Sequence, residues 1–440
     1  MFSLWNRLSR TWLTTLGLLA LPVVASAVTV TGFVKTTANV AVGNVDIDLI
    51  DNCTGTNIFI ATDKTAADGS FSMSVPAGNY DIHFIPPFAT TTLAAADSQE
   101  VAISANTNLG TIRLASTRLV SGTVKTPTNA ALANVDLKFI NMADGTRRFL
   151  TKTVTDASGN WSVRVPAGTW QIDFRPAVGS PYADGFRTNL VVGSTTDITG
   201  LVDNVKTGFT VSGTLRGKAK IVPANADISL FNECTGLTVP TSHDNSDALG
   251  AFSVVVPAGT YTLTISPPNC LAMESYRQTG LVVSAATALG QITLQNAVPV
   301  TGRVLGPDGL PMPRAKLKFY DVTGATATRV GVGTDRTDTL GRFTCYVIPS
   351  TYDINIDPPP GTNAQVYHVN NLIVGAAGAT TGDLPCVTGI PLTAHMIGNG
   401  GQGVAYVNLN VIEHTTRVSE RLAHDYSDSL GNTVVYINPG

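Results

Sequence analysis

The side chains able to carry chemistry are few in this 440-residue sequence, and their spacing decides how each is read. Six histidines stand singly: His83, His243, His368, His395, His414 and His424. None falls in a His-Glu-x-x-His or His-x-x-Glu pattern, the spacings that bring ligands onto one zinc ion. They read as surface or loop residues. No Gly-x-Ser-x-Gly nucleophile elbow and no phosphate-cradling glycine loop appears. Asp156, Asp247, Asp338 and Asp428 recur as Asp-x-x-Gly, without the dense oxygen ligands that calcium requires. Each is expected to cap its own turn. The sequence therefore predicts no catalytic residue, no cofactor and no metal site. Five cysteines remain, and their pairing depends on the elements that carry them.

Those elements form a repeated cassette, plainest from Asp156 to Pro176. Asp156 and Gly159 fit the ends of a type I turn. Trp161, Val163 and Val165 then alternate with Ser162 and Arg164, the period of a half-buried strand. Val165-Pro166-Ala167-Gly168 makes a second turn, and Trp170, Ile172 and Phe174 alternate again. The cassette recurs at residues 69–87, 250–268 and 341–359. Upstream of each copy stands a strand with a central glycine, Gly32, Gly122, Gly213 or Gly302, giving periods of 90, 91 and 89 residues. A second strand follows with inward Val45/Ile47/Leu49, Val135/Leu137/Phe139, Ala226/Ile228/Leu230 or Ala315/Leu317/Phe319. About seven strands per repeat, with no helical periodicity, predict an antiparallel β-sandwich able to bury its own core. The expected division is a signal segment over 1–27, sandwiches over 28–115, 116–207, 208–296 and 297–388, and a partial fifth over 389–440. Joints such as Leu114 to Leu119 are so short that a semi-rigid rod is expected.

Residues 1–27 have the anatomy of an export signal: Arg7 and Arg10, an apolar run from Trp12 to Leu21, then Ala25-Ser26-Ala27. An uncleaved N-terminal anchor is the rival reading. No cysteine follows the apolar run, so a lipid anchor is not supported, and no later stretch reads as a membrane span. Charged residues make up only 13%, with 41 Gly and 24 Pro, a profile of turn-rich β structure and not of disorder. A net charge of −3 without a basic stripe argues against nucleic acid as a partner.

Gly-x-Val, the Val-x-Ile-x-Leu strand, and Asp-x-x-Gly-x-Phe followed by Val-Pro-Ala-Gly-Thr-Tyr resemble the carboxypeptidase regulatory-like repeat family. They are also similar to the B-type repeats of bacterial surface adhesins. The resemblance covers nearly all of residues 28–440. It implies tandem transthyretin-like or immunoglobulin-like sandwiches, used as stalks, accessory domains or glycan-binding modules. The adhesin relatives often carry Lys–Asn isopeptide cross-links, but Lys35 and Lys125 alternate with inward Val34 and Val124 and should point outward. The fourth unit departs from the pattern at Val347-Ile348-Pro349-Ser350, where a cis-proline turn is one solution. In the fifth, Ala405/Val407/Leu409 is matched to Ala315/Leu317/Phe319, and Asp428/Gly431 to Asp338/Gly341. The chain then stops short of the remaining strands, which reads as a fragment of a longer product.

Internal comparison frames the cysteines. Cys53 and Cys234 occupy one repeat position, each before Thr-Gly, and unit three adds Cys270 after Pro-Pro-Asn. A Cys234–Cys270 disulfide is expected, provided the two strand ends approach within about 7 Å. Cys53 then stays unpaired or bonds outside its own unit. Cys345 takes an inward core position, and Cys386 sits at a joint. Trp161 and Trp170 fill positions that are aromatic in every complete unit, so they are core. Tyr182, Tyr276 and Tyr367 are the best candidates for exposed aromatics. Together these readings predict an exported, non-catalytic structural or adhesive rod at a cell surface, with a surface glycan or protein as partner. An array of carbohydrate-binding modules, or accessory domains of an enzyme beyond residue 440, are the alternatives.

Overall fold

A computed structural model describes residues 27–438, apart from 88–91, 144–145, 149, 151–152, 219–220, 334, 405–406, 413, 415–421 and 429. The proposed signal segment lies outside the described residues except for Ala27. The chain is all-β and built as a tandem of small sandwiches. Unit one shows the plan: β1 (Ala27–Thr36), β2 (Asp46–Asp51), β3 (Asn57–Ile58), β4 (Ser70–Pro76), β5 (Gly78–Ile85), β6 (Ala96–Ile103) and β7 (Thr107–Leu114). One sheet has the order β4-β1-β7, the other β3-β2-β5-β6, and units two to four repeat both orders. The seven strands match the sequence expectation, but the sandwich is not wholly antiparallel. After β6 the chain crosses to the other sheet and enters beside β1 on its open edge, so β7 runs parallel to β1. The fifth unit contributes the antiparallel pair Ile390–His395 and Asn432–Ile437.

Alternation decides what is buried. Phe71, Met73 and Val75 lie in the core, while Ser72 and Ser74 face out. In unit two Phe139 sits edge-on to both Trp161 and Trp170, each centroid 6.4 Å away. The glycine of each first strand faces the cassette aromatic across the ladder, as Gly213 faces Phe252. A Cβ on Gly213 would lie 2.8 Å from the Phe252 ring, so the pair is Gly with aromatic by steric necessity. Unit five solves the position differently, with Ala394 opposite Thr433.

A buried hydroxyl locks the entry to every second strand. Thr65, Thr155, Ser246, Thr337 and Ser427 accept from the backbone N–H of Val45, Val135, Ala226, Ala315 and Val407. This recurrence corrects the sequence match in unit five. Val407, not Ala405, stands at the Ala315 position, because the fifth unit is two residues shorter between this position and its Asp-x-x-Gly turn, Val407 to Asp428 against Ala315 to Asp338. Ala405 itself lies outside the described residues. The fourth-unit turn is also corrected: among the described residues no peptide bond is cis.

The units do not string out as a rod. Gln99 on β6 donates through Nε2 to the Arg147 carbonyl of unit two (2.9 Å) and accepts at Oε1 from Arg314 of unit four (3.0 Å). Asn225 of unit three donates to the Cys53 carbonyl of unit one (3.3 Å), and Ser242 of unit three donates to Asp184 of unit two (2.8 Å). Unit one thus touches units two, three and four. The polar outer faces of the four-stranded sheets turn toward one another. Asp46, Asp48, Asp136 and Lys138, expected on exposed outer faces, are therefore only half-exposed, and Asp173, Asn355 and Asp357 are buried. Arg164, on the other sheet, is exposed as its alternation requires.

Candidate functional site

The residues singled out by chemistry are engaged in structure. Asp156 Oδ1 accepts the N–H groups of Ser158 (2.9 Å) and Asn160 (2.8 Å), and these bonds hold its pKa below the ordinary carboxylate value. Asp247, Asp338 and Asp428 cap their turns in the same way. The histidines stay apart: His368 pairs with Asn355, His395 with the Leu430 carbonyl and His424 with the Pro358 carbonyl. Among the described residues no three His, Cys, Asp or Glu side chains gather as metal ligands. Lys35 lies over the exposed Phe33 ring at 5.6 Å.

The aromatics are structural anchors. Trp170 Nε1 donates to the Pro166 carbonyl (3.0 Å), and the hydroxyls of Tyr80, Tyr261 and Tyr352 donate to the equivalent carbonyls of Pro76, Pro257 and Ile348. Each ring therefore ties down the turn four residues before it. Tyr182, Tyr276 and Tyr367 are half-buried and pack against their own cores, which corrects the expectation that they stand exposed.

The disulfide expectation is corrected as well. Cys270 is bonded to Cys53 of unit one, with Cα atoms 5.8 Å apart, and Cys234 is a free, exposed thiol. Strand pairing gives the reason. In unit three Asp227–Asn232 runs antiparallel to Gly259–Ser266, so Asn232 pairs with Tyr261 and Asp227 with Ser266. Cys234 therefore leaves the sheet at one pole and Cys270 at the other, about 17 Å away along the strands. Cys270 instead meets the Cys53 loop docked on Asn225. Cys386 follows the last strand of unit four, at the joint, and is buried in the unit-four core, where desolvation raises its thiol pKa to about 11. Cys345 is fully buried.

This docking walls a cavity of about 660 Å³ between units one, three and four. Asn52 and Glu100 contribute the unit-one side. Unit three presents hydroxyls, among them Ser229 and Thr264, with the half-exposed ring of Phe231. Unit four presents Lys316, Lys318, Arg329 and Arg336. With Arg277 there are five basic side chains on the lining against three acidic ones, Glu100, Asp227 and Asp335. Lys316 pairs with Asp335 (3.4 Å) and Lys318 with Asp357 (2.5 Å). Desolvation, with help from Asp81, raises the Glu100 pKa to about 7 against the pull of Arg314 and Arg336. Desolvation and Asp244 raise that of Asp227 to about 6. Arg277 is shifted down by desolvation and by the neighbouring Arg329.

Apart from Asn52, which opens an Asn-Cys-Thr glycosylation pattern, none of these cavity residues was singled out from the sequence. A signal was present in the outward positions of the second strands. They read Asp46/Asp48, Asp136/Lys138, Asp227/Ser229 and Lys316/Lys318, so their sign turns from acidic to basic along the chain. Faces of opposite sign are suited to meet.

No family model matches the chain, and no curated protein does. Solved structures similar to it include the Bacillus anthracis TIE protein, 14% identical over 78% of this chain and 66% of that one, with a TM-score of 0.18. BcpA, the major pilin subunit of Bacillus cereus, is 11% identical over 62% of this chain and 99% of its own, with a TM-score of 0.17. A streptococcal ancillary pilin is 11% identical over 61% and 99%, with a TM-score of 0.18. Among the described residues no helix is long and apolar enough to cross a membrane.

Proposed function

We propose that the protein is an exported, non-catalytic structural or adhesive element of a cell surface. The observation that carries this reading is the stitching of its units: a cystine joins units one and three, and Gln99 joins unit one to units two and four. A cystine persists in oxidising compartments, which agrees with the signal-like segment at residues 1–27. The cassette's resemblance to carboxypeptidase regulatory-like and adhesin repeats supports the same reading. The recurrent Asp-x-x-Gly carboxylates serve as turn caps and the cassette aromatics as anchors of their own hairpins, which supports a structural role for them. The rod expected from the short joints is replaced by a compact block of four docked sandwiches.

Protease treatment of intact source cells tests the proposal. Peptides of this chain should be released, with Cys53 and Cys270 recovered as a linked pair. Recovery of the chain only from the cytosol, with both cysteines open to alkylation, would overturn it.

A further inference from the structure

We propose that the cavity between units one, three and four binds an anionic oligosaccharide, two or three sugars long and carrying sulfate or carboxylate groups. The inference rests on the surface reading above and names what an adhesive block would hold.

A cavity of about 660 Å³ falls in the size range of ligand sites. Its two main walls differ in chemistry. The unit-three wall offers hydroxyls on alternate strand positions, which match sugar hydroxyls, and Phe231, 38% exposed, offers an apolar ring to a sugar face. The opposing wall is cationic. Arg277 of unit three and Arg329 of unit four lie close enough to repel, and among the described residues neither makes a hydrogen bond or ion pair. Glu233, the acid that attracts Arg277, already accepts from Thr262 and the Gly280 N–H. Two guanidinium groups without partners present planar donor pairs that fit a carboxylate or sulfate in bidentate fashion. An anion between them relieves their repulsion.

The third wall ties the site to the cystine. Asn52 lines the cavity and is adjacent to Cys53, so the Cys53–Cys270 bond holds that wall in place. Glu100 and Asp227 oppose an anion when charged. Their protonation as pH falls through about 7 and 6 removes that opposition, so affinity rises toward acid pH.

Calorimetric titration of the mature chain, cystine intact, with four probes tests the proposal. These are a heparin-derived disaccharide, a trimer of galacturonic acid, neutral maltotriose and inorganic sulfate. At least one anionic oligosaccharide should bind, about tenfold or more tighter than maltotriose or free sulfate, and more tightly at pH 5.5 than at pH 8. Arg277→Gln with Arg329→Gln should weaken it by about tenfold or more, and reduction or Cys53→Ser by severalfold. Both arginines are exposed, so circular dichroism and cystine mapping verify that the double variant is folded. The proposal is overturned if neither anionic probe binds, if maltotriose binds equally well, or if the double variant binds as the parent does. Failure here with surface release and the Cys53–Cys270 link intact leaves the structural reading standing. Failure of surface release removes that reading whatever the titration shows.

Discussion

Cys53 and Cys270 are covalently joined with Cα atoms 5.8 Å apart, although 217 positions separate them. The bond closes a loop containing the whole of unit two, yet neither cysteine belongs to a unit's buried core. Its contribution therefore falls on the docking of unit one against unit three. Cys53→Ser or Cys270→Ser should cost the docked state about 2–4 kcal/mol while leaving each sandwich folded. Small-angle scattering should show a larger radius of gyration, and protease should cut at the joints, with far-UV circular dichroism unchanged. An unchanged radius would mean that the polar contacts alone hold the block.

What the sequence disclosed was local. Alternation, the Asp-x-x-Gly turns and the Pro-bearing hairpins are encoded within a few residues, so strands, turns and core aromatics could be read directly. The Cys234–Cys270 expectation failed because it needed the direction of paired strands. Two strand ends look alike in sequence, but in an antiparallel pair they stand at opposite poles. The cavity was hidden for a related reason. Lys316 and Arg329 look like ordinary outward residues until the docking of another sheet turns that face into a wall.

Trp170 joins the unit-two core to its turn, being both fully buried and a donor to Pro166. Trp170→Ala should destabilise unit two by about 3–5 kcal/mol. Trp170→Phe keeps most of the apolar volume but forfeits the hydrogen bond, and should cost about 1–2 kcal/mol. Beyond the signal-like segment, Trp161 and Trp170 are the only tryptophans, so fluorescence-monitored denaturation of the mature chain reports on this unit alone. A loss below about 1 kcal/mol for the alanine variant would show that the ring does not anchor the core.

Acidity should tighten the packing between units. Glu100, Asp184 and Asp227 have native pKa values raised to about 7, 7 and 6, chiefly by desolvation where units meet. Between about pH 4.5 and 7 the docked state holds protons that a separated state releases. This contribution is therefore present at the low end and lost as pH rises through 6 to 7. Proteolysis at the joints should be slower at pH 5.5 than at pH 8, and Glu100→Gln should flatten part of the difference. Carboxylates with lowered pKa values, such as Asp156, act in the opposite sense only below that window. Faster cleavage at pH 5.5, after correction for the protease's own profile, would contradict the assignment.

The pairing of Gly213 with Phe252 makes a coupling prediction. An added methyl at Gly213 meets the ring at 2.8 Å, so Gly213→Ala should cost about 1–3 kcal/mol by overpacking. Phe252→Thr removes the ring and leaves a void, at about 3–5 kcal/mol. Unit five already holds the combination that relieves the clash, Ala394 opposite Thr433. Once Phe252 is Thr, the methyl at 213 meets no ring and fills part of the space it vacated. The double variant should therefore be less destabilised than the sum of the two single variants, by about 1 kcal/mol or more. Denaturant unfolding of the four proteins gives the cycle. Strict additivity would mean that the backbone yields at Gly213, and that the glycine answers to Gly290, whose carbonyl would lie 3.1 Å from the new methyl, instead of to the aromatic ring.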